Sequence, residues 1–68
     1  MDKELLNKII ELIERNPEGM KATAIAVTLF VPRRKVNRVL YSNPEIFEMD
    51  ERYVWTVKNT DNIIRNKS

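Results

Sequence analysis

Three prolines determine where regular structure must be interrupted in this 68-residue chain. They follow Asn16, Val31 and Asn43. A residue that precedes proline is driven out of the helical region, whereas proline itself suits the first turn of a helix. The sequence therefore predicts helix ends at Asn16 and Asn43, and a tight joint between two helices at Val31 and Pro32.

The length leaves room for one hydrophobic core and therefore for one domain. Hydrophobic residues make up 43% of the chain, yet no apolar run approaches the length that spans a membrane. The chain contains no cysteine and no histidine, which excludes thiol nucleophiles, imidazole bases and most zinc sites. We therefore expect a non-catalytic protein that needs no metal, cofactor or small-molecule substrate and does not bind a membrane.

The amino-terminal residues do not follow the basic-then-apolar layout of a secretory signal, and the lack of cysteine suits a reducing compartment. These features predict an intracellular protein of the cytoplasm or nucleus. Apart from Ile63 and Ile64, the sequence offers no dedicated apolar face for a dimer, so we expect a monomer in isolation.

The residues from Asp2 to Arg15 predict an amphipathic helix, with Asp2 capping its amino end. Its apolar residues recur three and four positions apart: Leu5, Leu6, Ile9, Ile10, Leu12 and Ile13. Gly19, the only glycine, marks the following turn, and Lys21 to Thr23 predict a short extended piece. A helix of about two turns is expected to follow from Ala24 to Phe30.

The third predicted helix runs from about Pro32 to Ser42, with Val36, Val39 and Leu40 on its inward face. Two β-rich runs follow, Ile46 to Met49 and Tyr53 to Val57, with a short tip of Asp50, Glu51 and Arg52 between them. This order of elements predicts an α+β fold, a winged helix-turn-helix of three helices closed by a small antiparallel sheet. We expect residues 1–58 to form that domain and residues 59–68 to form a polar tail.

Charge is segregated along the chain although the net charge is only +2. Residues 19–43 contain no acid and five bases: Lys21, Arg33, Arg34, Lys35 and Arg38. On the third helix, Arg33, Asn37 and Tyr41 are spaced four apart and form a row, with arginines 34 and 38 beside it. Guanidinium, amide and phenol groups in a row are suited to phosphates and bases, although a solvated basic face has the same composition.

The aromatic residues allow a simpler interpretation. On periodicity alone, Tyr41 and Trp55 are more readily explained as core residues between the third helix and the sheet. Phe30, Phe47 and Tyr53 would compete for the same space.

The segment from Pro32 to Ser42 resembles the recognition helix of the Zα family, winged-helix domains that bind left-handed Z-DNA and Z-RNA. The shared pattern is a basic pair, Asn37 four positions after its first member, then arginine, two apolar residues and Tyr41. Trp55 stands where the family has a tryptophan in the last strand of the hairpin. The resemblance covers about residues 4–58.

The resemblance implies a role for each matching residue. Arg33, Arg34 and Arg38 would contact phosphates of the zigzag backbone, and Asn37 a central phosphate and water. The Tyr41 ring would meet a purine in the syn conformation, and Trp55 would pack edge-to-face on that ring and reach a phosphate. The hairpin tip is shorter than is usual in the family and lacks its prolines, so Arg52 is expected to provide a charge contact there.

The implied function is non-catalytic binding of left-handed double-stranded DNA or RNA, with more than one copy on each duplex. The length and the Leu-Tyr-Ser-Asn continuation are similar to those of small viral proteins of this family, which mask left-handed nucleic acid from host immune sensing. Two other functions remain open: an ordinary winged-helix regulator that reads right-handed DNA, and a winged helix that binds an acidic protein.

Overall fold

A computed structural model describes residues 3–58 and has three helices and a two-stranded antiparallel sheet. The elements in chain order are α1 (Lys3–Glu14), α2 (Ala22–Leu29), α3 (Arg33–Ser42), β1 (Phe47–Met49) and β2 (Trp55–Val57). The predicted α+β class and the order of helices and hairpin are confirmed. The predicted Asp2 cap and the tail 59–68 lie outside the described residues.

The core lies between the three helices and the sheet. Helix α1 buries Leu5, Ile9 and Ile13, which are spaced four residues apart and therefore occupy one face. Helix α3 buries the predicted trio of Val36, Val39 and Leu40. The remaining buried apolar residues are Ile25, Ala26, Phe47 and Trp55. Because α3 is apolar on this side alone, its opposite side is free to carry polar groups.

Both predicted Asn-Pro helix ends are present, and each is secured by the asparagine side chain. The Asn16 amide donates to the Leu12 carbonyl at 2.8 Å, and the Asn43 amide donates to the Val39 carbonyl, also at 2.8 Å. Each bond spans four residues, so the side chain satisfies a last-turn carbonyl that the backbone N–H of the same asparagine leaves unpaired, because that N–H donates instead to the Ile13 or the Leu40 carbonyl. The sequence thus specifies both the end of each helix and the group that caps it.

The extended piece predicted for Lys21 to Thr23 is wrong. Only Met20 pairs with the sheet, exchanging two backbone hydrogen bonds with Trp55 at 3.0 and 2.8 Å. Lys21 is the extended N-cap residue of α2, and the helix includes Ala22 and Thr23. The segment that joins the two strands is therefore one residue long, and α2 begins at Ala22, two residues earlier than predicted.

Phe30 was predicted in α2 and as a competitor for core space, and both predictions are wrong. It ends α2 in the left-handed conformation, with φ of 58°, and 93% of its surface is exposed. The Phe30 and Val31 amides donate back to the Val27 and Ala26 carbonyls, which is the Schellman pattern of a helix end. Because the backbone reverses at Phe30, its ring projects into solvent.

In the hairpin, Phe47 pairs with Val57 and Met49 pairs with Trp55. Tyr53 was predicted to begin the second strand and to compete for the core, and this is also wrong. It has a left-handed φ of 65°, lies outside β2 and is 66% exposed. The hairpin tip therefore comprises residues 50–54 rather than the three residues predicted.

Gly19 is required by the close approach of its turn to the hairpin. Its φ is +91°, and a Cβ there would clash with the Val54 side chain and lie 2.8 Å from the Trp55 carbonyl oxygen. A backbone oxygen at that distance cannot move aside without breaking the pairing with Met20.

We expect Gly19→Ala to lower the free energy of unfolding by about 2 kcal/mol or more, because strain and a backbone clash act together. Urea denaturation followed by circular dichroism measures this. Thr28→Ala, on the exposed side of α2, is the control and should change stability by no more than about 0.5 kcal/mol. Equal stability of the two variants would contradict the close approach.

Candidate nucleic-acid interface

A surface depression of about 180 Å³ lies where α3, the start of α2 and the hairpin meet. Its lining combines two cations, an amide, a threonine hydroxyl, two phenols, an indole and a thioether. The lining residues are Lys21, Ala22, Thr23, Arg33, Asn37, Tyr41, Met49, Tyr53 and Trp55. Groups from three separate segments of the chain therefore converge on one open site.

The predicted row on α3 forms one wall of this depression. Arg33, Asn37 and Tyr41 all line it, because a four-residue step returns to nearly the same side of a helix. Asn37 is half-buried, whereas Tyr41 is 62% exposed. The proposal that Tyr41 is a core aromatic is therefore wrong, and its ring is available to a partner.

The ring of Trp55 packs against the ring of Tyr41. The ring centroids are 5.1 Å apart and the ring planes are at 90°, which confirms the predicted edge-to-face packing. Such a pair contributes about 0.5–1.5 kcal/mol beyond the area it buries. Trp55 is only 6% exposed and Tyr41 also approaches the Met49 sulfur, with its hydroxyl at 4.0 Å. The core interpretation thus holds for the indole but not for the phenol that it positions.

The indole nitrogen of Trp55 retains access to solvent. Within residues 3–58, every buried side-chain nitrogen or oxygen has a hydrogen-bond partner, and Trp55 makes no side-chain hydrogen bond there. Its N–H is therefore at the surface and is free to donate to a group bound in the depression.

Within residues 3–58, the cations of this face form no ion pair. Within the described residues, ion pairs join Lys8 to Glu4 at 3.8 Å and Arg52 to Asp50 at 3.1 Å. None involves Lys21 or the three arginines of α3. Arg34 and Arg38 are exposed beside the depression but do not line it. The structure thus places an unpaired basic ridge along one edge of the site.

Arg52, predicted as a charge contact, is engaged elsewhere in the hairpin tip. Its guanidinium donates to the Asp50 carboxylate from Nε at 3.3 Å and from Nη2 at 3.1 Å. The other Asp50 oxygen accepts the Arg52 and Val54 amides at 2.8 and 3.0 Å. The Val54 amide lowers the pKa of Asp50 most, desolvation opposes it, and the amide, side-chain hydrogen bonds and charge of Arg52 lower the pKa further.

Tyr53 is the aromatic residue of the site that sequence reasoning missed. It was predicted to lie in the second strand, among the aromatic residues that would compete for the core. Tyr53 instead has a left-handed backbone, lies outside β2 and lines the depression. The sequence held no signal for this, because a hairpin tip without glycine does not reveal its turn type.

Two further observations bear on the chemistry. In residues 3–58, no cluster of three or more carboxylates is arranged to hold a metal ion. None of the helices in that part of the chain is both long and apolar enough to cross a membrane.

Comparison with known proteins gives no match to any family model, curated protein or solved structure. The site must therefore be interpreted from its own geometry and charge.

Tyr41 and Trp55 should differ sharply in their effect on folding. We expect Trp55→Ala to cost about 3 kcal/mol or more, because it removes a buried ring. Tyr41→Ala should cost about 1 kcal/mol, mainly the loss of the aromatic pair. Urea denaturation followed by far-ultraviolet circular dichroism measures both, and an equal loss would contradict the exposed position of Tyr41.

The lowered pKa of Asp50 predicts that the hairpin tip loosens only in acid. A carboxyl whose folded pKa lies below its ordinary value of 3.8 stabilises the structure above that pH, and its contribution is lost as pH falls through the folded pKa. The amide resonances of Arg52 and Val54 should therefore shift with a midpoint below 3.8. Asp50→Asn should abolish this titration, and a midpoint above the ordinary value would refute the arrangement.

Proposed function

We propose that this chain is a winged-helix domain that binds left-handed double-stranded DNA or RNA without catalysis. The observation that carries the proposal is the side-by-side placement of Arg33, Asn37 and Tyr41 on the wall of one depression, with Trp55 fixed beneath Tyr41. The same four residues carry the resemblance to the Zα family. Their convergence on a single surface is what the function requires.

The charges on this surface suit a phosphate backbone. Lys21 and Arg33 line the depression, and Arg34 and Arg38 extend the positive surface along α3. None of these side chains forms an ion pair in the described residues, so none has to break one there to bind phosphate. A guanidinium also presents paired N–H donors that match phosphate oxygens.

The rigidity of the aromatic pair supports a readout of shape. Tyr41 is exposed, and the edge-to-face contact with Trp55 favours one orientation of its ring. A fixed ring beside a fixed row of phosphate donors selects one path of the backbone over another. Base sequence would then matter only through the ease with which a duplex adopts the left-handed form.

Such a domain stabilises the left-handed form by preferential binding. A shift of a duplex from 1:99 to 99:1 requires about a 10⁴-fold preference, or about 5.5 kcal/mol, which several domains on one duplex supply together. No group other than the protein surface is needed. A duplex covered in this way is also masked from other proteins that recognise it, including the host sensors that the resemblance to viral proteins implies.

The direct test is titration of an alternating cytosine–guanine duplex followed by circular dichroism. Inversion of the long-wavelength bands is the expected result. Saturable binding without inversion would support a reader of right-handed DNA instead. Weak binding that depends only on salt, and that Tyr41→Ala leaves unchanged, would support a domain that binds an acidic protein.

Two substitutions on α3 separate a specific phosphate contact from general charge. Arg33→Gln should weaken binding by about tenfold and reduce the salt dependence by about one phosphate contact. Lys35→Gln is the matched control: it removes one positive charge from an exposed residue of the same helix that does not line the depression. It should have a much smaller effect, and equal losses of affinity would contradict the site.

A further inference from the structure

The hairpin tip holds Tyr53 in a costly conformation. A left-handed backbone at a residue other than glycine is disfavoured and persists only where the surroundings impose it. Tyr53 is nevertheless 66% exposed, so burial of its ring does not offset the free-energy cost of this backbone conformation. At Phe30 the same conformation ends α2, whereas Tyr53 ends no helix, so helix termination does not account for its conformation.

Asp50 holds this conformation through its side-chain carboxylate and its backbone carbonyl. One oxygen of its carboxylate accepts the amides of Arg52 and Val54, the two neighbours of Tyr53. The Asp50 carbonyl accepts the Tyr53 amide itself at 3.0 Å. Three consecutive amides are thus held by a single residue, which fixes the direction of the Tyr53 side chain.

The same interactions make Arg52 a poor candidate for the contact of the hairpin with a ligand. Its guanidinium is held by Asp50, and it does not line the depression. Tyr53 does line it, together with Tyr41 and Arg33. Its hydroxyl makes no hydrogen bond within the described residues and is free to donate.

We infer that Tyr53 is the residue through which the hairpin contacts the nucleic acid. Its hydroxyl donates to a phosphate oxygen, and its ring packs on the adjoining sugar. The inference rests on the proposed function and deepens it: one phenol comes from α3 and contacts the base, and a second comes from the hairpin and contacts the backbone. Asp50 is the positioning residue for the second phenol.

The test compares glycine substitutions at two residues that share a backbone conformation. Tyr53→Gly and Phe30→Gly each remove an exposed ring from a left-handed position, so neither should lower the melting temperature. Phe30 does not line the depression and is the matched control. Binding is measured by fluorescence anisotropy with a cytosine–guanine duplex held in the left-handed form by 8-bromoguanine.

We expect Tyr53→Gly to weaken binding by about tenfold and Phe30→Gly to leave it unchanged. Tyr53→Phe retains the ring and should show a loss of about threefold, from the hydroxyl alone. If Tyr53→Gly fails to fold, Tyr53→Asn replaces it, because asparagine tolerates the left-handed region. Arg52→Gln should bind nearly as well as the wild type.

The outcomes distinguish this inference from the proposed function. Tight binding by the wild type and equally tight binding by the Tyr53 variants would overturn the role of Tyr53 and leave the function standing. A loss on Arg52→Gln that exceeds the loss on Tyr53→Gly would assign the contact to the guanidinium instead. Failure of the wild type to bind the left-handed duplex would overturn the function itself.

Discussion

The arrangement of this domain depends on the position of Trp55. The Trp55 backbone exchanges two hydrogen bonds with Met20 on one side. On the other side, Trp55 is the partner of Met49 in the antiparallel sheet. Its ring is buried, yet its edge-to-face contact holds the exposed Tyr41 ring in place. One residue therefore joins the segment before α2, the hairpin and α3. Gly19 permits this junction, since any larger residue would collide with the Trp55 carbonyl.

The two exposed aromatic residues with a left-handed backbone, Phe30 and Tyr53, differ in what holds them in that conformation. Phe30 ends α2, where glycine is the favoured residue, and its ring contributes nothing to the core. Tyr53 has the same backbone conformation, but the Asp50 carboxylate holds both neighbouring amides and directs the ring to the depression. The comparison separates a conformation that only terminates a helix from one that also builds a surface. In a domain with so small a core, strain of this kind is a substantial fraction of total stability.

The arginines of α3 and of the hairpin tip differ in whether they have an acidic partner. Helix α3 buries an apolar face of three residues and leaves its arginines without acidic partners in the described part of the chain. The hairpin tip, in contrast, neutralises Arg52 internally with Asp50. Mutual repulsion along α3 lowers stability, and a polyanion would relieve it.

The sequence by itself determined the helices, the buried face of α3 and the row of Arg33, Asn37 and Tyr41, because proline positions and helical periodicity are local properties. It also indicated the pairing of Tyr41 with Trp55 through the resemblance to a family. Only the tertiary structure decided which aromatic rings are buried, and it placed Phe30 and Tyr53 in solvent. It also decided that Arg52 is held by Asp50. These outcomes depend on left-handed residues and on hydrogen bonds across the hairpin, and a periodic pattern along the chain contains no information about either.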